Sequence, residues 1–197
     1  MLLIKNRVNY YSYKEIQQLQ KISTSTIGHF TDFGFLTHLT CSIPITNVLG
    51  PVLTVKLSSG DGTHLNNVLH HAQKGDILVI DTSGNKTHAC WGEFRSRRAE
   101  EIGLAGVIIS GAVTDSSYLK KSNVPVFYES VSPRTTSSLN LEGEINTPVC
   151  VGGVVFESGD YVIADEDGIY KLNRLNYKGL IELALKKEQY EIERRQS

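Results

Sequence analysis

From the N-terminus to about residue 130, short helical and strand patterns alternate. Ser12-Tyr13-Lys14-Glu15 has capping-box spacing, with Ile16, Leu19 and Ile22 following at helical intervals, which predicts a short first helix. Ser23 to Gly34 is rich in Ser, Thr and Gly and reads as a turn into a second short helix. Val48 to Leu57 reads as a strand, with Pro51 expected at its start or on a sheet edge because proline cannot donate to a ladder. Ser59-Gly60-Asp61-Gly62 is a loop before a helix carrying Leu65, Val68, Leu69 and Ala72; Gly75 stops it and Ile77 to Ile80 follow as a buried strand. The alternation repeats through a loop at Thr82–Asn85, a helix with Phe94, Ala99 and Ile102 ending at Gly103, a strand at Val107–Ile109, a short helix at Ser117–Lys121 and a strand at Val124–Tyr128. Such an order predicts an α/β core with parallel neighbours.

Beyond Pro133 the pattern becomes short strands at 149–151, 154–156, 161–164 and 169–172, with Asp167-Gly168 as a two-residue hairpin turn. A final helix is expected over about 177–195. Ile181, Ala184 and Leu185 give it one apolar face, but it is mostly charged after Lys186, so its outer part is expected to reach a neighbouring subunit. Without repeats or low-complexity linkers, residues 1–197 read as one domain.

Composition narrows the function classes. Apolar residues are 40% of the 197 and charged residues 21%, ordinary for a soluble globular chain. Twenty Lys+Arg against 21 Asp+Glu give a net charge of -1, so no direct nucleic-acid binding is expected. No apolar run approaches the ~20 residues that span a bilayer, and Met1–Arg7 lacks a secretory pattern. Cys41, Cys90 and Cys150 are odd in number and widely spaced, which suggests reduced thiols and a cytoplasmic location.

Two segments carry candidate chemistry. Gly92 enters a helix, where unpaired N–H groups suit a carboxylate or phosphate; the alternative is a plain helix start with Glu93 in its first turn. Ser110-Gly111-Ala112-Val113-Thr114-Asp115 follows a strand, where ligands gather in open α/β sheets. Asp115 is either a hard oxygen ligand for Mg²⁺ or the cap of the next helix. His70-His71 reads as the end of a helix, His88 and Cys90 lack zinc partners, and Asp165–Gly168 lacks a full calcium loop. Arg95, Arg97 and Arg98 read as a solvated helix face. Rossmann, Walker and nucleophile-elbow signatures are absent.

Taken in order, the segments Gly50-Pro51-Val52, Gly75–Asp81, Trp91-Gly92-Glu93, Ala105–Ile108, Gly111–Asp115, Ser132-Pro133-Arg134, Gly143–Asn146, Gly152–Val155 and Ala164–Gly168 resemble the RraA-like proteins, from Ile22 to about Leu172. That family includes the 4-hydroxy-4-methyl-2-oxoglutarate and 4-carboxy-4-hydroxy-2-oxoadipate aldolases. The resemblance implies a layered α/β/β/α sandwich like the swivelling phosphohistidine domain, assembled as a homotrimer or hexamer. It implies backbone amides over Gly92, Glu93, Phe94 and Arg95 for the pyruvyl group of a small 2-oxo acid. Asp115 would anchor Mg²⁺ or Mn²⁺, largely through waters, with Glu93 nearby as a catalytic acid and Glu188 or Glu191 approaching from a neighbouring subunit. The implied reaction is retro-aldol cleavage of a 4-hydroxy-2-oxo dicarboxylic acid, with oxaloacetate decarboxylation as a companion activity.

The sequence departs from the family at the catalytic position itself. Thr114 stands where the aldolases carry Arg, Ser110 where Asp is common, and Gly28-His29 where Ser-Asp is frequent. Losing one charged donor of this kind costs about 10²–10³ in rate, and a neutral hydroxyl does not replace a guanidinium fork. Two classes therefore follow: a metal-dependent lyase, or a non-catalytic protein that docks on a partner such as a ribonuclease.

Overall fold

The computed structural model describes residues 1–8, 17–45, 47–172, 175 and 177–196; the expected capping box at 12–15 and Ile16 lie outside them. Its main sheet is edged by β1 (Leu2–Ile4) and β2 (Thr40–Cys41). Between them, β3 (Val48–Leu57), β4 (Ile77–Asp81), β5 (Gly106–Val113) and β6 (Val126–Val131) run parallel in that order. The expected alternation produces this arrangement, because each crossover is long enough to return the chain to the same sheet end. Before β2 comes a short helix, α1 (Thr24–Gly28), while α2 (Leu65–His71), α3 (Glu93–Ile102) and α4 (Ser116–Leu119) fill the three crossovers. β7 (Gly143–Ile145) joins β1 to the far end of β3. The remaining elements are two hairpins, β8 (Val149–Val151) with β9 (Val154–Phe156) and β10 (Tyr161–Ala164) with β11 (Ile169–Leu172), and a terminal helix, α5 (Tyr177–Gln196).

Three buried clusters stack the elements as α/β/β/α. Leu53, Val55, Leu78, Ile80, Val107 and Ile109 put one sheet face against Leu65, Val68 and Leu69 of α2, Ala99 of α3 and Leu119 of α4. Val52, Ile77, Val79, Ile108 and Phe127 put the other face against the hairpins through Val151, Phe156, Val162 and Ile169. The outer face of β10 and β11, with Tyr161, Ile163, Tyr170 and Leu172, is then covered by Ile27 of α1 and by Tyr177, Ile181 and Ala184 of α5. Leu19 and Ile22, expected on the first helix, are buried in this last layer.

Three local readings are corrected. Pro51 lies inside β3, at the point where the strand changes partners. Residues 48–51 pair antiparallel with β10, and Val52–Lys56 pair parallel with β4, so the missing N–H falls at the switch. Residues 110–113, expected to follow the strand at Val107–Ile109, extend β5 instead, and all eight of its residues are buried because both sheet faces are covered. The β10–β11 connection spans Asp165–Gly168 rather than two residues: the Asp165 carboxylate accepts from Asp167 N–H, and Asp165 N–H donates to Gly168 C=O. The two-residue turn occurs at Gly152-Gly153, where φ of 59° and 80° suits the mirror-image turn of a tight hairpin.

Helix α5 lies along its own chain as far as Glu188. One Glu188 oxygen accepts from Ser23 N–H, Ser23 Oγ and Thr26 Oγ1 at 3.0, 2.8 and 2.7 Å, and these donors hold its pKa low despite the opposing effect of burial. Glu191 pairs with Lys187 and Arg195. Both carboxylates thus engage partners within their own chain.

Candidate active site

The site is assembled where β5 ends beside α3. Residues 89–91 form a short extended segment between two others: Ala89 bridges Thr135 on one side, and Trp91 bridges Val113 on the other. Thr114 N–H donates to Trp91 C=O at 2.8 Å, and Ala89 N–H to Arg134 C=O at 2.7 Å. Buried Trp91 is fixed by its Nε1–H, which donates to Ser96 Oγ in α3 at 2.8 Å. These bonds fix the point at which α3 begins.

Gly92 is the N-cap of α3, in extended conformation, and its glycine identity is set by a neighbour. A Cβ there would lie 2.4 Å from Asp115 Oδ2 and 2.7 Å from Thr114 Cγ2. Asp115 occupies the N-cap position of α4 but makes no side-chain cap. Its backbone is left-handed (φ 53°, ψ 42°), a conformation Asp tolerates better than most residues, and its carboxylate turns back to accept Glu93 N–H at 2.9 Å. The Asp115 side chain thus does not cap α4, although the residue stands at the N-cap position. One exposed carboxylate oxygen, Oδ1, has no partner among the described residues.

Ser96 N–H closes the first turn of α3 on Gly92 C=O. Of the N–H groups ahead of it, Glu93's is taken by Asp115, which leaves those of Phe94 and Arg95 as the donors of the helix start without a partner among the described residues. Phe94 itself is 79% exposed. The Glu93 carboxylate does not face Asp115's free oxygen. Arg97 Nε and Nη2 donate to it at 3.0 and 2.7 Å, and this bond raises the Arg97 pKa. Arg97 also stacks 4.7 Å from the centre of the Tyr118 ring on α4. Thus the structure brings Gly92, Thr114, Asp115 and the amides of residues 93–95 together, and directs the Glu93 side chain away along the helix.

The reading of the arginines as one solvated face is also corrected. Arg97 and Arg98 are solvent-facing, but Arg95 is turned inward and half-buried. The signal was present in the spacing, since positions 95 and 102 share a helix face with the core residue Ala99. Burial lowers the Arg95 pKa, and the adjacent Cys90 thiol, fully buried, is pushed up to about 12. His88 Nδ1 stands beside Asn85 and Thr87, and the described residues contain no group of three or more His, Cys, Asp or Glu placed to hold a metal. A cation at Asp115 would therefore have one protein carboxylate here, as Mg²⁺ accepts when waters complete its shell.

The family model for RraA-like proteins (Aldolase/RraA) matches residues 26–170. The chain belongs to the RraA-like family. A relative from Halalkalibacterium halodurans, named "Putative 4-hydroxy-4-methyl-2-oxoglutarate aldolase", is 32% identical over 177 residues, covering 88% of this chain and 83% of its own. Among solved structures, Streptomyces coelicolor RraAS2, described as an unusual member of the RNase ES inhibitor RraA protein family, aligns with a TM-score of 0.83 and 25% identity over 98% of this chain and all of its own. The RNA-processing inhibitor RraA from Thermus thermophilis aligns with a TM-score of 0.68 and 26% identity, over 76% of this chain and 91% of its own. Relatives of this RraA-like chain thus bear both an aldolase name and an inhibitor name. No helix of its described residues is long and apolar enough to cross a membrane.

Proposed function

We propose that this RraA-like protein is a divalent-metal-dependent lyase that cleaves a 4-hydroxy-2-oxo dicarboxylic acid and decarboxylates oxaloacetate. The observation that carries this reading is the Asp115 carboxylate, held beside the open start of α3 by Glu93 N–H, with a free oxygen. A left-handed non-glycine residue that forgoes its own helix cap is the kind of backbone arrangement that clusters at ligand sites. Asp115 would hold Mg²⁺ or Mn²⁺ through that oxygen, and the ion would supply Lewis-acid stabilisation of negative charge on the 2-oxo acid.

The protein's own groups then orient the substrate. Phe94 and Arg95 N–H groups bind the carboxylate next to the keto carbon, where the helix start favours negative charge. Decarboxylation breaks the bond from C3 to the departing carboxylate, and its electron pair passes into pyruvate enolate; no protein base is needed. Aldol cleavage also removes the 4-hydroxyl proton, for which a water beside Asp115 would serve as the base. Thr114 supplies no charged donor, so turnover about 10²–10³ below that of an Arg-bearing relative is expected. The site is open in one chain, and a homotrimer or hexamer would shield it from bulk water.

A second reading is favoured by Thr114 together with the likeness to RraAS2 over nearly the whole chain: a protein that binds a ribonuclease-type partner without catalysis. Pyruvate release from oxaloacetate separates the two. Turnover above the metal-only rate, abolished by EDTA and by Asp115→Ala, supports the lyase. Absence of turnover in a correctly assembled protein supports the binding role.

A further inference from the structure

Arg95 stands out because nothing among the described residues pairs with it. It makes no hydrogen bond or ion pair among the described residues, and its Nε is buried without a partner. A half-buried cation in that position is costly unless an anion meets it. Its side chain runs to the Gly62 loop, where a Cβ on Gly62 would lie 3.4 Å from Arg95 Nη2 and 2.4 Å from Thr136 Oγ1. Gly62 therefore lets the loop approach, and the guanidinium and the Thr136 hydroxyl converge on the same place.

Its position relative to Asp115 follows from the backbone. Thr135 and Thr136 flank one side of the 89–91 segment, and Val113 and Thr114 flank the other. The flanking segments are thus two strand spacings apart, roughly 10 Å. A four- or five-carbon diacid has carboxyl carbons about 4–5 Å apart from C–C bonds of about 1.5 Å. A hydrogen bond of about 2.8 Å at each end brings its reach to about 10 Å.

We propose that Arg95 is a second anchor of this site, binding the distal carboxylate of a 2-oxo dicarboxylic acid whose 2-oxo acid end lies at Asp115 and the α3 N-terminus. The assignment rests on the site reading above and adds a residue that selects diacids over monoacids. It also gives the site a guanidinium although position 114 holds Thr. Arg95 is a specificity residue: it holds the end of the substrate that departs and does not touch the 2-oxo acid end that becomes the enolate.

The test compares 2-oxoglutarate with 2-oxopentanoate, which have the same chain length and differ at the distal carboxylate. The full chain is titrated calorimetrically with each in the presence of Mn²⁺. Wild-type protein should bind the diacid about 10- to 100-fold more tightly, the range expected for a charge-assisted contact. Arg95→Leu should lose that preference and Arg95→Lys should recover part of it. Thermal melting should show Arg95→Leu no less stable than wild type, since an unpaired cation has been removed. Equal affinity for the two acids in wild type, or a preference that survives Arg95→Leu, overturns the assignment. In that case binding of 2-oxopentanoate, lost in Asp115→Asn, still upholds the site itself. Failure of both acids to bind overturns the anchor and the site together.

Discussion

Replacing Gly92 by Ala perturbs the centre of the site without replacing a polar group. The glycine's φ of -162° and ψ of -161° are extended, so the backbone itself does not exclude alanine. The obstacle is the Asp115 carboxylate, 2.4 Å from the new methyl carbon, with Thr114 Cγ2 at 2.7 Å. Both must retreat, and Asp115 gives up its bond from Glu93 N–H. A hydrogen bond to a charged group contributes about 1.5–3 kcal/mol, a factor of about 10–100 if it serves to hold Asp115 for binding. The change also puts Ala at an N-cap, at a cost of several tenths of a kcal/mol or more relative to Gly. For a chain of this size each kcal/mol lowers Tm by about 2–4 °C, so a loss of about 4–14 °C is expected. Steady-state pyruvate formation from oxaloacetate at saturating Mn²⁺, run alongside calorimetric melting, reads both effects. A folded Gly92→Ala protein with wild-type turnover and wild-type metal affinity would refute the claim that Gly92 seats Asp115 for catalysis.

Three further predictions rest on other contacts. Burial alone would raise the Asp61 carboxyl, but Thr63 Oγ1–H and the N–H groups of Thr63, Leu139 and Leu141 outweigh it and bring its pKa down to about 2. The lowered value means that its stabilisation, about 1–2 kcal/mol, is complete above pH ~4 and is lost as pH falls toward 2; urea midpoints across pH 2–6 should show this slope, and Asp61→Asn should remove it. Ser96→Ala leaves the buried Trp91 Nε1–H unpaired and should cost about 1–3 kcal/mol, seen as a lower Tm; an unchanged melting curve contradicts the role given to that bond. Thr114→Arg should raise pyruvate formation by about 10²–10³ if position 114 is a vacated donor site, and an unchanged rate in a stable variant shows that the donor is supplied elsewhere.

Periodicity made the parallel core legible, because Ile77–Ile80 and Val107–Ile109 are continuous apolar runs that need cover on both faces. It failed at Ser110-Gly111, whose small polar residues resemble a turn; tertiary packing of Gly111 against Thr82 Oγ1, where a Cβ would lie 2.7 Å away, keeps them in the strand. Pro51 was misplaced because a change of strand partner has no local sequence mark. Gly92 and Asp115 were identifiable as separate candidates, but not the back-turned carboxylate that joins them, since it depends on a crossover 22 residues apart in sequence. The Glu93 side chain was assigned to the site although an arginine four positions along, a common helical partner, was visible in the sequence. Arg95 was hidden by its neighbours, being grouped with Arg97 and Arg98 on the strength of charge when its spacing from Ala99 placed it inward.

Mn²⁺ binding followed by electron paramagnetic resonance, with and without oxalate as a mimic of the pyruvate enolate, tests the centre most directly. Wild-type protein should bind Mn²⁺ more tightly with oxalate present, and Asp115→Asn should lose both the binding and the oxalate effect while remaining folded. Mn²⁺ binding and oxalate enhancement that persist undiminished in Asp115→Asn would contradict the assignment of Asp115 as the anchor of this site.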